Sequence, residues 1–599
     1  MSMSRREAMK LIAGSVPAVA GVHAFGAAPQ AVAAVPAVGE VRRFVFDGVS
    51  SELRISMKEL GLESPADLSP YSHLVMEMRL STPQRLLLWA YTTHGPRSMS
   101  FIGFGQNAWL RASIPLQYFV GRDANGFDLA SAQNRRMKSC WLSVWGPYGD
   151  MHSVEAFAIA TEYPLNKPVI ELRNVHLSKR DEGSEFLEQG PMVDSFGQWA
   201  LTDWPRKVKN SEQLTRELAA EEKTFGSSAD FGYGRYGGYK STQARATGFF
   251  RVEEIDGRWW FVDPEGHLFL STGINGTPGG GAGFGGGSSD TSRTNRRLDS
   301  WGMTTGGQAR PGAVMLRWPR GTNYLGLPDV YSSQFAADID AAANTQCAPR
   351  KNDPLVLGYF IGNEPPWNER ESELCGLILS GPDTATKAKL KDFLVSGDTP
   401  ARRREFVLAS YGKYLEIVCG AVRKYDPNHL ILGTRFGGRM ADEVLIAARI
   451  FDVCSINAYE YEPTKQVIRA ARLSGRPILI GEFHIGVPAD GLSAGLVQAK
   501  DQAERGIAYR YYIEQAASLG WFLGAYWFQW RDEPVMGRMD GENYNIGFVD
   551  VTDRPYVELI EAAKATHKRL LDVHSGKVMP FAQHPLASDA GAPSTPWPI

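Results

Sequence analysis

Two glutamates stand where two buried strands stop. The apolar run 355–361 breaks into Gly362-Asn363-Glu364-Pro365-Pro366-Trp367, and Pro477-Ile478-Leu479-Ile480-Gly481 closes on Glu482-Phe483-His484. Taken singly, Glu364 reads equally well as a loop glutamate capping the next helix, and Glu482 as a solvated strand end. Together, 118 residues apart and each followed by aromatic residues, they are the pair that retaining glycoside hydrolysis needs. One carboxylic acid protonates the leaving oxygen and one carboxylate attacks the anomeric carbon. In parallel α/β sheets such groups converge in the loops beyond the C-terminal strand ends.

The surrounding pattern supplies those strands. From residue 249 onward, buried-looking runs at 268–274, 355–361, 430–433, 451–456, 478–480 and 522–528 alternate with amphipathic helices. One helix is marked by Phe406, Tyr411, Leu415, Val418, Val422 and Tyr425 and is stopped by Asp426-Pro427-Asn428. Strand-helix alternation over more than 300 residues argues a parallel sheet, open or closed. Upstream, Leu74, Met76, Met78 and Leu80 alternate with Val75, Glu77 and Arg79, and short runs at 86–89, 140–145 and 169–175 repeat the pattern. That is an all-β sandwich signature. The chain therefore divides into a leader (1–33), a β-sandwich (41–190), a polar connector (191–248) with a helix at 211–222, an α/β domain (249–573) and an extended tail (574–599).

Composition narrows the function classes. With 64 Lys and Arg against 66 Asp and Glu, the net charge of −2 argues against a protein that binds nucleic acid by neutralising phosphates. Ser4-Arg5-Arg6, Lys10 and a mildly apolar run to residue 28 read as a twin-arginine export leader, with Ala31-Val32-Ala33 as the cleavage site. The expected location is thus periplasmic or extracellular. No run of about 18 strongly apolar residues predicts a membrane span. Five scattered cysteines form neither a disulfide framework nor a zinc site and are expected to be buried small hydrophobes. The turn-rich segment 123–128 lacks the later glutamate of an EF-hand loop. No metal ligand cluster and no cofactor site is expected.

Longer stretches carry a family likeness. Asn363-Glu364-Pro365 and Gly481-Glu482-Phe483 resemble strands four and seven of a clan A glycoside hydrolase (β/α)8 barrel. Residues 259–267 (WWFVDPEGH), 481–484 (GEFH) and 537–548 (GRMDGENYNIGF) are similar to the family-50 β-agarases, as are 194–198 (DSFGQ) and 203–205 (DWP). This resemblance implies a TIM barrel preceded by a carbohydrate-binding-like sandwich, and a polysaccharide or oligosaccharide substrate containing β-linked galactose. It implies Glu364 as acid/base, Glu482 as nucleophile and Asn363 on the sugar 2-hydroxyl. Tyr459 follows the 451–456 strand and is expected to hold the nucleophile ionised, with Tyr461 as the alternative. His484, Trp527, Trp530 and Asn275 complete the expected substrate-binding set, with Tyr526 beside Trp527 as an apolar wall for a galactose ring.

Three alternatives stay open. The tract 279–287 contains a formal GxGxxG (Gly281, Gly283, Gly286) after a strand, but the polar 288–297 segment does not read as a helix start, which weakens a dinucleotide reading. The same tract departs from the family pattern, so that barrel elements one to three are compressed into 268–353 and another β-galactan or a β-glucan remains a possible substrate. The third alternative is a non-catalytic carbohydrate-binding barrel; retention of both glutamates with Asn363 and Tyr459 weighs against it.

Overall fold

Alternation at 73–80 is resolved by burial: Met76, Met78 and Leu80 face a core, while Glu77 and Arg79 pair across the sheet with Arg173 (2.7 Å) and Glu171 (2.5 Å). In this computed structural model, residues 40–585 are described apart from 48–49, 122–133, 145, 163, 226–229, 279–289, 320 and 439. The leader and its cleavage site, the 123–128 turn, the 279–287 glycine tract and residues 586–599 of the tail lie outside the described residues. The His73–Leu80 strand belongs to a five-stranded antiparallel sheet, ordered Arg42–Val45, Val169–Ser178, His73–Leu80, Leu110–Pro115, Glu185–Phe186. A six-stranded antiparallel sheet runs Ser50–Ser56, Val154–Glu162, Leu86–Thr92, Gly95–Gly103, Cys140–Ser143, Asn134–Arg136. Met76 and Met78 of the first share one apolar cluster with Leu53, Leu88 and Phe157 of the second.

Beyond the connector the strands turn parallel. A four-stranded sheet is ordered Ser271–Ile274, Phe522–Trp527, Ile478–Phe483, Cys454–Asn457, and a three-stranded one Gly312–Met315, Val356–Phe360, Leu430–Gly433. A parallel bridge between Phe436 and Ile456 joins the two. At the far side, the amides of Thr304 and Thr305 donate to the Thr272 carbonyl (3.1 and 3.0 Å). Leu357, Leu432, Leu479, Leu523 and Tyr526 form one cluster on one face of these strands. The other face packs on helices that include Ser333–Cys347, Pro400–Tyr425, Gln502–Ala517 and Val557–His574. Burial on both faces explains why these strands read as unbroken apolar runs.

Three sequence expectations shift. The 268–274 run is two strands, because Leu268–Phe269 pairs back onto the antiparallel Arg251–Ile255 and Arg258–Val262 hairpin and only Ser271–Ile274 enters the parallel sheet. The 288–297 segment does open a helix, Thr291–Ser300, capped by Asp290 through the amides of Ser292 and Arg293. Its inward face carries Arg297, fully buried but paired with Glu221 (2.7 Å) and Asp553 (3.0 Å), so the polar text conceals a core helix. The tail is tied down as far as it is described, since the Phe581 amide donates to Glu514 (2.9 Å). The connector helix Ser211–Glu222 forms as expected, with Asn210 accepting from the Gln213 amide. All five cysteines are buried and free. Among the described residues no helix is long and apolar enough to cross a membrane.

Candidate active site

Glu364 is set by its neighbours in the chain. The strand Val356–Phe360 ends, the Ile361 amide still donates to Gly433 (2.9 Å), and the two prolines after Glu364 prevent the ladder from continuing. The loop is anchored by buried Trp367 and by the Glu364 amide, which donates to the Arg435 carbonyl (3.2 Å). Glu364 sits at φ +41°, a left-handed backbone unusual for a non-glycine residue and typical of functional loops. Its carboxyl accepts from Asn457 Nδ2 at 2.6 Å and lies against Gly437, where any Cβ would come within 2.6 Å of Oε1. The side chain is exposed to solvent while protein atoms crowd its carboxyl. This desolvation, reinforced by the charge of Glu482, pushes its pKa up to about 7.

Glu482 has the opposite environment. Within Ile478–Phe483 the register against Phe522–Trp527 slips between Ile480 and Phe483. Phe483 turns to the helical layer and stacks on Tyr512 (4.2 Å between centroids, 4° between planes). The buried Glu482 carboxylate receives Arg435 Nη2 on Oε1 and the Tyr459 hydroxyl on Oε2 (2.5 Å). Two donors, one of them cationic, suit an ionised carboxylate. Burial and the two glutamates hold the Tyr459 phenol well above its ordinary pKa, so it remains a donor.

Arg435 and Asn457 escaped the sequence reading, and both complete the site. Arg435 stands two residues beyond Leu430–Gly433, with φ +53° and its amide on Ser455 Oγ (2.9 Å). Asn457 ends Cys454–Asn457 and spans from Glu364 to Asn363 Oδ1 (3.4 Å). The available signal was position alone: each lies at the C-terminal end of a buried parallel strand, as the two glutamates do.

The remaining expected residues divide. Asn363 is exposed beside Glu364. Asn275 is buried and its Nδ2 donates to the Gly481 carbonyl (3.0 Å), so it ties the first strand to the strand bearing Glu482. Tyr461 points away and donates to the Gln498 carbonyl (2.6 Å). His484 is not free to bind substrate: Nδ1 lies 3.2 Å from the Phe528 carbonyl and Nε2 accepts from the Leu496 amide (2.9 Å). Those partners fix a neutral Nδ1–H tautomer, and burial pushes its pKa down to about 3. Its ring instead backs Tyr459 at 4.7 Å.

Trp527 and Trp530 are corrections too. Trp527 is 1% exposed, donates to the Ile546 carbonyl (2.6 Å) and packs edge-on against Phe483 and Phe548. Trp530 is 2% exposed and stacks on Trp301 (5.4 Å). Neither offers a face to a sugar. Tyr526 is equally buried, with its hydroxyl on Ser271 Oγ (2.8 Å).

Comparison with known proteins bears on the same chain. No family model matches. The chain is 27% identical to Beta-agarase B of Vibrio sp. (strain JT0107) over 561 residues, which cover 70% of this chain and 58% of that one. It is 26% identical to Beta-agarase A of the same strain over 511 residues, 62% of this chain and 51% of that one. This resembles the family-50 β-agarases. The chain spans little more than half the length of these relatives. In fold it is similar to an exo-beta-agarase (TM-score 0.63, 21% identity, 89% of this chain and 94% of that) and to the agarase AgWH50C (0.61, 22%, 88% and 94%). Both likenesses run through the antiparallel and the parallel parts of the chain, as their coverage requires.

Beside that agarase likeness, the local chemistry is asymmetric: burial and the charge of Glu482 push the Glu364 carboxyl up, while Glu482 receives Arg435 and Tyr459. Tyr459→Phe deletes one charge-assisted hydrogen bond and leaves the ring on His484. Such a bond contributes about 1.5–3 kcal/mol, so kcat is expected to fall by about 10- to 100-fold with the thermal midpoint nearly unchanged. An unaltered kcat in steady-state assays is the contrary result.

Proposed function

We propose that this chain is a retaining glycoside hydrolase of agarase type, which cleaves a polysaccharide containing β-linked galactose by double displacement. The observation that carries the reading is the split between Glu364, raised to about 7, and Glu482, held by Arg435 and Tyr459. A carboxyl group that burial favours in its protonated form suits the acid, and one that receives two donors, one of them cationic, suits the nucleophile. Glu482 attacks the anomeric carbon while Glu364 gives its proton to the departing oxygen. Glu364, now ionised, takes a proton from water, which attacks the glycosyl ester and releases Glu482. Tyr459 and Arg435 return the nucleophile to its bound, ionised state after each turnover. No step calls for a metal or an organic cofactor.

The architecture in this reading is a (β/α)8 barrel at 249–573 behind a β-sandwich at 41–190. It is supported by the seven parallel strands, the Phe436–Ile456 bridge and the Thr304–Thr305 segment on Thr272, which stands as the second, shortened barrel strand. Export through the twin-arginine leader fits a polymeric substrate outside the cell. Agarose comes first among substrates because the named relatives are β-agarases. The test is a panel of agarose, porphyran, carrageenan, β-1,4-galactan and β-glucans, with Glu482→Ala alongside. Turnover of agarose or another galactan by the wild type alone is expected. Turnover of a glucan with none on any galactan would refute the galactose assignment.

A further inference from the structure

The outer face of the six-stranded antiparallel sheet carries two aromatic rings. Leu53, Leu88 and Phe157 turn inward to the apolar cluster. Their neighbours along each strand point outward, where Arg54 stands opposite Ala158, Ala158 opposite Trp89, and Ala156 opposite Tyr91. The outward face of such a sheet is ordinarily polar, yet Trp89 and Tyr91 stand on it half-buried, between small side chains. The Tyr91 hydroxyl donates to Glu52 Oε2 (2.7 Å). Glu52 belongs to Ser50–Ser56, and Val154–Glu162 lies between that strand and the one bearing Tyr91. With strands about 4.8 Å apart, the phenol ring must lie down across the intervening alanines to make this bond. The Trp89 ring is parallel to it within 15°, with centroids 6.2 Å apart, so it lies down too. Ala158 is fully covered although it points away from the core.

Charge and continuity indicate the occupant. Arg54 sets its guanidinium 4.5 Å from the Tyr91 ring centroid and donates through Nε to Glu52 Oε1. The pair has no net charge, and the Arg54 side chain is 60% exposed. Such an exposed ion pair adds little to stability, but it sets hydrogen-bond donors and acceptors beside the rings. The same face continues to the parallel sheets. Four residues before Trp89, about 13 Å along the strand, Arg85 Nη1 donates to the Tyr544 hydroxyl (3.2 Å). Ile102 and Trp141 share a cluster there with Phe528, Tyr544 and Ile546. Tyr544 packs on His484, whose ring backs Tyr459. One end of the face is thus closed by the domain that bears Glu364 and Glu482, and the other presents Trp89 and Tyr91. We infer that Trp89 and Tyr91 form a second saccharide-binding site, outside the cleft, on which an uncharged galactan chain stacks its pyranose rings while Glu52 and Arg54 bond its hydroxyls. A pyranose offers a face of C–H groups to an aromatic ring, and its hydroxyls donate to a carboxylate and accept from a guanidinium. The inference rests on the glycosidase reading above and adds to it a grip on the polymer away from the scissile bond.

The test is affinity electrophoresis of the full chain, made inactive by Glu482→Gln, through polyacrylamide holding dissolved agarose or whichever galactan of the panel the wild type cleaves. Thermal midpoints serve as the folding check. Trp89→Ala is expected to weaken retention about 10-fold, the scale of one lost ring contact. Trp89→Tyr, which keeps a flat ring, falls between, and Arg54→Ala is expected to weaken retention a few fold. In the active chain, Trp89→Ala is expected to lower the ratio of kcat/KM on the polymer to kcat/KM on a tetrasaccharide of the same sugar, because the short substrate occupies the cleft alone. Undiminished retention of Trp89→Ala, or equal proportional losses on polymer and tetrasaccharide, overturns the inference. So does a dimer in sedimentation velocity that Trp89→Ala separates while retention stays the same, since the face is then a contact between copies of this chain. If the wild type cleaves nothing in the polysaccharide panel, the glycosidase reading itself fails; if it cleaves a galactan and Trp89→Ala is retained as strongly by it, only this inference does.

Discussion

Glu482→Ala is expected to lose on the order of 10⁵ to 10⁶ in kcat, the scale seen when a nucleophile that works as part of a unit is deleted. Among the described residues no other carboxylate is tied to both Arg435 and Tyr459 to take over the attack. The same substitution strands Arg435, whose side chain is only 3% exposed. Removing one partner of a buried ion pair costs about 3–5 kcal/mol. The alanine variant is therefore to be read beside Glu482→Gln, which keeps an acceptor oxygen for Arg435 while its amide can donate to the Tyr459 hydroxyl, and which is expected to be folded and equally inactive. Azide with an activated substrate should rescue Glu482→Ala and give a glycosyl azide of inverted configuration. A folded Glu482→Gln within 100-fold of wild type would remove Glu482 from the chemistry.

Glu364→Ala is expected to behave differently by substrate. Loss of general acid catalysis costs about 10² to 10⁴ where the leaving oxygen needs a proton, and little where an activated leaving group departs unaided. Azide should here give a product of retained configuration, because Glu482 still forms the ester. A raised pKa keeps the acid protonated below its value and ionises it above. The wild-type rate on agaro-oligosaccharides is thus expected to fall as pH rises through about 7, and the second step to fail in Glu364→Ala unless an external nucleophile is present. Equal losses on good and poor leaving groups, with the basic limb still in place, would contradict the assignment.

The two glutamates were legible because each ends an apolar run against chain punctuation, Pro365-Pro366 in one case and Gly481 in the other. Tyr459 was legible from its place just behind the 451–456 run and from the family resemblance. Arg435 and Asn457 were not, because their roles arise only when neighbouring parallel strands bring residues 47 and 93 positions away into hydrogen-bond reach. The aromatic residues were misread for a geometric reason. Register slips at Ile478–Leu479 and again beyond Ile480 break the two-residue alternation of the last strands, so sequence parity does not tell that Trp527 faces the helices. His484 looked like a substrate ligand because its backbone partners, Phe528 and Leu496, come from loops far along the chain. The helix Thr291–Ser300 was missed because Arg297, neutralised by Glu221 and Asp553, occupies the core position where a pattern search looks for a leucine.

The central claim is double displacement through Glu482, and the most direct measurement is the anomeric configuration of the first product. Proton NMR recorded during early cleavage of an agaro-oligosaccharide, before mutarotation, is expected to show the β-anomer at the newly formed reducing end, the outcome of two inversions. First appearance of the α-anomer would mean a single displacement by water and would contradict the account.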